Sequence, residues 1–223
     1  MSEMPLLESM FSEKIREIDD HLRNLEEADR EADETSGRKM LIASKAATVI
    51  MLYGFVEEVA SETFALLQRD IESRKLRYAQ LAPKVQEAWL SHEFSYVATE
   101  EVGHSFYLRK ARNILTAATS SPITFGGRGL LGSANVDGDK INKCCARYGV
   151  CFDTRDMRDE MAALAEIRES RNSLAHGDVS FYEYGRGVTV DDLRKKRDKV
   201  FAILEYLVAA MKDYINNDKH TRV

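Results

Sequence analysis

Arg171, Asn172 and His176 stand close together in Glu169-Ser170-Arg171-Asn172-Ser173-Leu174-Ala175-His176-Gly177, and their types suit phosphate and proton-transfer chemistry. An imidazole, with an ordinary pKa of about 6.5, both takes and gives protons near neutral pH. A guanidinium stays charged and offers a planar fork of donors that fits phosphate oxygens. An Asn beside them would orient the imidazole or donate to the phosphate. Metal-free RNA cleavage requires that the ribose 2′-OH be activated, that the leaving 5′-oxygen be protonated and that charge on the phosphorane-like transition state be stabilised. Arg171 and His176 supply groups for those steps.

The three residues end a helical pattern running from about Asp156 to His176, with Gly177 just past the end, where a glycine is favoured. Met157, Met161, Leu164, Arg168 and Arg171 share one stripe, so two arginines continue an apolar face. A charge on a core-facing stripe needs a partner, and a carboxylate, a second subunit or a phosphate would serve. Glu169, Asn172 and His176 form a second stripe. Arg171 and His176 lie about 140° apart on an ideal helix, which is awkward for a site built by one helix. A two-fold dimer that brings two such helices together would place two Arg and two His around one groove.

The elements that must hold this helix also read as helices, and the fold class expected is all-α. Leu6, Met10, Phe11, Ile15, Ile18, Leu22 and Leu25 recur at three- and four-residue steps, predicting an amphipathic helix over residues 5–33 that ends at Thr35-Ser36-Gly37. Residues 38–75 contain no Pro and are apolar on more than one face between Met40 and Phe64, as expected of a buried central helix. Shorter helices are expected over 82–92, 100–118 and 137–148, the last ended by Gly149. Thr189-Val190-Asp191-Asp192 starts a final helix whose face carries Leu193, Val200, Leu204, Leu207, Met211 and Ile215. Residues 119–136, with Ser-Ser-Pro and four glycines, read as a long irregular loop, and 179–184 is the one possible strand. Residues 1–223 are expected to form a single domain.

Composition narrows the function classes. A chain of 223 residues, 44% hydrophobic and 31% charged, has the make-up of a soluble globular protein. Its net charge of -5 argues against a surface coated in positive potential but leaves room for a local RNA groove. Cys144, Cys145 and Cys151 form no Cys-x-x-Cys pair and read as reduced, mostly buried thiols. With no unbroken apolar run of about 18 residues and an acidic N-terminus, a cytoplasmic protein without membrane contact is expected.

The run Arg-Asn-Ser-Leu-Ala-His-Gly resembles the R-x4-H signature of the HEPN superfamily, and it looks closest to the branch found in bacterial conflict and defence loci (MAE_28990 and RiboL-PSP-HEPN-like). That superfamily includes metal-independent RNases and non-catalytic RNA binders. The resemblance implies a HEPN helical bundle, a homodimer through the motif helix, no cofactor and no metal. It also implies an endoribonuclease leaving 2′,3′-cyclic phosphate and 5′-OH ends, with Arg171 and His176 catalytic and Asn172 assisting. A toxin or phage-defence role follows from the same branch, with an antitoxin or defence-complex partner. Toxins of the superfamily paired with nucleotidyltransferase antitoxins carry a Tyr two residues after the motif His, where this chain has Asp178. Regulation through that Tyr is therefore not implied.

Around the motif, RNA contacts are expected from Arg168, from Tyr182 and Tyr184 stacking on unpaired bases, and from Arg194, Lys195 and Arg197 on the following helix. Phe181 is a further stacking candidate. Gly127-Arg128-Gly129-Leu130-Leu131-Gly132 matches G-x-G-x-x-G without the strand and βαβ context of a nucleotide site, and reads as a flexible loop with Arg128 a possible RNA contact. Glu101-Val102-Gly103-His104 has the Glu-x-x-His spacing of di-iron bundles but no second copy. Three rival readings remain at this level: an RNA binder that does not cleave, a helical scaffold in which Arg171 makes a salt bridge, and a metal-binding helical oxidase.

Overall fold

Thr189 opens the last helix with a reciprocal cap, its hydroxyl accepting from the Asp192 N–H at 3.1 Å while Asp192 accepts from the Thr189 N–H at 3.0 Å. Asp137 and Ser180 cap the starts of two further helices with single side-chain bonds in the computed structural model, which describes residues 4–31, 36–95, 104–125, 131 and 135–222. Among the described residues the elements are α1 (Met4–Glu31), α2 (Ser36–Ser73), a 3-10 turn (Tyr78–Gln80), α3 (Pro83–Ser95), α4 (His104–Ser120), α5 (Gly138–Tyr148), α6 (Arg158–His176), α7 (Phe181–Arg186) and α8 (Val190–Asn216). The all-α expectation holds, with two isolated β-bridges and no strand among the described residues.

α2 is the central element, as its two-sided apolar pattern predicts. Val49, Leu52, Val59, Ala60, Phe64 and Leu67 are all buried. It is long and apolar enough by composition to cross a membrane. Here that composition serves the bundle core instead. α1 packs antiparallel to α2, held by Lys14 to Glu58, His21 to Thr48 and Lys45 to Asp29. α8 packs antiparallel to α1 through Arg194 with Glu26, Arg197 with Asp19 and Lys212 with Glu8. α2 and α8 therefore run parallel, and the rings of Phe55 and Phe201 meet between them with centroids 5.3 Å apart.

One expectation changes. Residues 179–184 do not form a strand: Ser180 caps a short helix by accepting from the Glu183 N–H at 3.1 Å, and Phe181–Arg186 follow as α7. The alternation Val-Ser-Phe-Tyr-Glu-Tyr lost because a side-chain cap was available at once and no neighbouring strand was there to pair. α7 crosses α2 where Gly185 meets Ile42; a Cβ on Gly185 would stand 1.8 Å from the Ile42 carbonyl oxygen. Only glycine allows that approach.

The described residues between α4 and α5 form no helix or strand, as expected, but their apolar side chains are not loose. Ile123, Phe125, Leu131 and Val136 are buried in the core. The Phe125 N–H donates to Glu72 at 2.8 Å and the Trp89 indole donates to the Thr124 carbonyl at 3.0 Å. Arg128 and the glycines of 126–129 lie outside the described residues, as do Glu101 and the His104 side chain.

Candidate active site

α6 ends in a Schellman arrangement. Gly177, at φ 76°, donates to the Leu174 carbonyl at 3.3 Å, and Asp178 donates to the Ser173 carbonyl at 2.9 Å. His176 therefore sits on the last residue of the helix, and its side chain is exposed. Among the described residues its ring makes no hydrogen bond, and the imidazole is accessible from solvent.

Arg171, one and a half turns earlier, turns instead toward α2. Its guanidinium carbon lies 3.9 Å from the centroid of the Tyr53 ring, a close cation–π contact. Nη2 is 3.5 Å from Glu57 Oε1, and Nη1 donates to Asn172 Oδ1 at 2.9 Å. The side chain keeps 24% of its surface open. Glu57 Oε1 also accepts from the Tyr53 hydroxyl at 2.7 Å, and that hydroxyl accepts from the Val136 N–H at 3.0 Å. Burial first, and then the bond to the Glu57 carboxylate, push the Tyr53 phenol up to about 12. It stays a neutral donor at any physiological pH.

The partner demanded by the arginine stripe is thus a carboxylate from the same chain at both positions. Arg168 pairs with Asp137, the residue that caps α5, and with Glu169 at 3.4 Å. Asn172 donates from Nδ2 to Asn135 Oδ1 at 3.3 Å. Three consecutive residues entering α5 therefore bond to the motif or to its surroundings: Asn135 to Asn172, Val136 to Tyr53, and Asp137 to Arg168 one turn before the motif arginine. Asn172 does not bond His176 here; it links Arg171 to this segment, so the side chain it orients is the arginine.

The remaining expected RNA contacts fall in two places. Phe181 and Tyr182, at the start of α7 and five and six residues beyond His176, are 42% and 43% exposed. Tyr184 is half-buried and takes part in a cluster with Lys196. Arg194 and Arg197 face α1 rather than the motif, engaged by Glu26 at 2.5 Å and Asp19 at 3.1 Å. Lys195 is open to solvent and pairs with Asp191 one turn away. Between α6 and α8, Lys195, Lys196 and Lys199 border a cavity of about 390 Å³, but Asp159, Glu166 and Asp192 line it too and cancel their charge. Burial pulls the Lys196 ammonium down, yet Glu166 at 2.7 Å and Tyr184 more than offset this and raise it.

Sequence reasoning missed Tyr53, Glu57 and Asn135. A signal for the first two was present: Glu57 and Glu58 interrupt an otherwise apolar run in the central helix, and Tyr53 lies one turn before Glu57. Nothing in the sequence pointed to Asn135, whose φ of 55° places it in the left-handed region.

A helical bundle with R-x4-H at the end of its sixth helix agrees with the comparison to known families. Residues 6–220 match the family model described as MAE_28990-like HEPN. The chain belongs to that HEPN family. The match runs through the eight described helices and includes the R-x4-H motif. No curated protein and no solved structure matches the chain.

Proposed function

We propose that this HEPN protein is a metal-independent endoribonuclease, acting as a toxin or phage-defence effector. The observation that carries the reading is the presentation of the motif: an exposed imidazole at the end of α6 and a guanidinium aligned by aromatic, carboxylate and amide neighbours with part of its surface still open. His176 takes the proton from the ribose 2′-OH as that oxygen attacks phosphorus. The P–O5′ bond breaks, and an imidazolium returns a proton to the departing 5′-oxygen. Arg171 balances the added negative charge on the non-bridging oxygens. The products are a 2′,3′-cyclic phosphate and a 5′-OH. Arg171 turns toward α2 while His176 lies at the exposed end of α6, and pairing two motif helices about a two-fold axis places two of each around a shared groove, where one chain's Arg171 can act with the other's His176.

The same separation of Arg171 from His176 also supports a second reading, an RNA-binding subunit of a defence complex that does not cleave. One experiment divides them. Wild type, Arg171→Ala and His176→Ala are incubated with total RNA in EDTA, singly and with the two variants mixed, and the ends are mapped. Cleavage by wild type that leaves cyclic phosphates, at least about 1000-fold loss in each variant, and partial recovery on mixing is the outcome expected of a shared two-chain groove. RNA retention by wild type without any new ends establishes the binding reading in its place.

A further inference from the structure

Resting on the ribonuclease reading above, we infer that Tyr53 and Glu57 are positioning residues for Arg171, holding its guanidinium in one orientation for the transition-state phosphate. A free arginine has four rotatable bonds and would be ordered only at the moment of reaction, at an entropic cost. Here the cation is constrained from three sides before any substrate arrives. The Tyr53 ring lies under its face at 3.9 Å, Glu57 Oε1 stands 3.5 Å from Nη2, and Asn172 Oδ1 takes a hydrogen from Nη1 at 2.9 Å. The remaining donors stay available, because 24% of the side chain is open.

The clamp is itself fixed. Tyr53 is buried, and its hydroxyl is saturated on both sides, donating to Glu57 at 2.7 Å and accepting from the Val136 backbone at 3.0 Å. Tyr53 and Glu57 are one turn apart on α2, the central helix of the bundle, so the support comes from a helix of the core rather than from a loop. A carboxylate beside a phosphate-binding arginine also has a cost: it weakens attraction for a ground-state phosphate. That cost makes the role testable. A residue that holds Arg171 for the transition state at the expense of ground-state attraction separates kcat from KM, which a residue that only stabilises the fold does not.

The test is steady-state cleavage of a defined RNA by wild type, Glu57→Gln and Tyr53→Phe, with circular dichroism and thermal unfolding on each. Both changes keep the side-chain volume. In Glu57→Gln, kcat is expected to fall about tenfold while KM stays level or drops. Tyr53→Phe keeps the aromatic face and loses both hydroxyl bonds, so a smaller loss, about threefold in kcat, is expected. Unchanged or raised kcat in folded Glu57→Gln overturns the inference and leaves the ribonuclease reading standing, since Glu57 would then merely quench Arg171. Lower thermal stability with unchanged kcat assigns both residues to the fold alone and overturns it as well. No cleavage by folded wild type removes the ribonuclease reading, and this inference with it.

Discussion

Single side chains divide into those that meet solvent and those that do not, and the cysteines show how sharply. Cys144 and Cys145 are buried on α5, and loss of water pushes both thiols up to about 12. Cys151 is exposed beyond the end of that helix. Thiolate, not thiol, is the reactive form. A thiol-specific dye is therefore expected to label one cysteine rapidly in the native protein and all three after denaturation. Rapid native labelling of two or more would show that α5 opens under native conditions. The same reasoning applies to the motif: His176 is reachable from solvent, whereas Arg171 is held against α2.

At the scale of elements, the glycines show which packings tolerate change. α7 lies directly on the α2 backbone, and a Cβ at Gly185 would meet the Ile42 carbonyl oxygen at 1.8 Å. Backbone cannot swing aside as a side chain can. Gly185→Ala is expected to destabilise the protein by about 3 kcal/mol, read as the shift in the urea midpoint. Gly138→Ala is the contrast: its Cβ would meet the Met161 side-chain end at 2.5 Å, and a thioether tip can rotate away. Its cost is expected to be about 1 kcal/mol. Equal costs at the two sites would mean that α7 shifts along α2 and is not pinned there. Because α7 also carries Phe181 and Tyr182, a shift would move the exposed aromatic side chains that follow His176 in the chain.

For the molecule as a whole, stability is partly stored where its C-terminal tail folds back over the end of α2. His220 is fully buried, with Nε2 2.9 Å from Asp70 Oδ2, and its carbonyl accepts from the Ala82 N–H at 2.9 Å. Burial pushes the Asp70 carboxyl up, but His220 and then Arg74 outweigh it and hold the group below its usual value. A carboxyl lowered by folding adds stability above its unfolded pKa, and that contribution is lost as pH falls through the folded value. Asp70→Asn is thus expected to lower thermal stability at pH 7, with the gap to wild type narrowing from about pH 4 downward. A gap that is independent of pH would assign Asp70 a packing role instead.

Much of this architecture was legible in the chain itself. Three- and four-residue spacing of apolar side chains marked α1, α2, α6 and α8, because a helix must bury one face, or in α2 several. Gly149 and Gly177 marked helix ends, since the left-handed turn there favours a residue without a Cβ. Arg171-Asn172 and His176 marked the candidate site and the family, and the two arginines on an apolar stripe signalled that partners must exist. What those partners are, only the tertiary structure decided. Glu57 and Tyr53 lie more than a hundred positions away in sequence, and Asn135 to Asp137 sit at the end of a segment without periodicity. Local periodicity reports which face of an element is buried; it carries no information about which distant side chain will meet it there. Tertiary packing likewise turned Arg194 and Arg197 toward α1. It also made a helix of the residues after Val179, where alternation alone read as a strand.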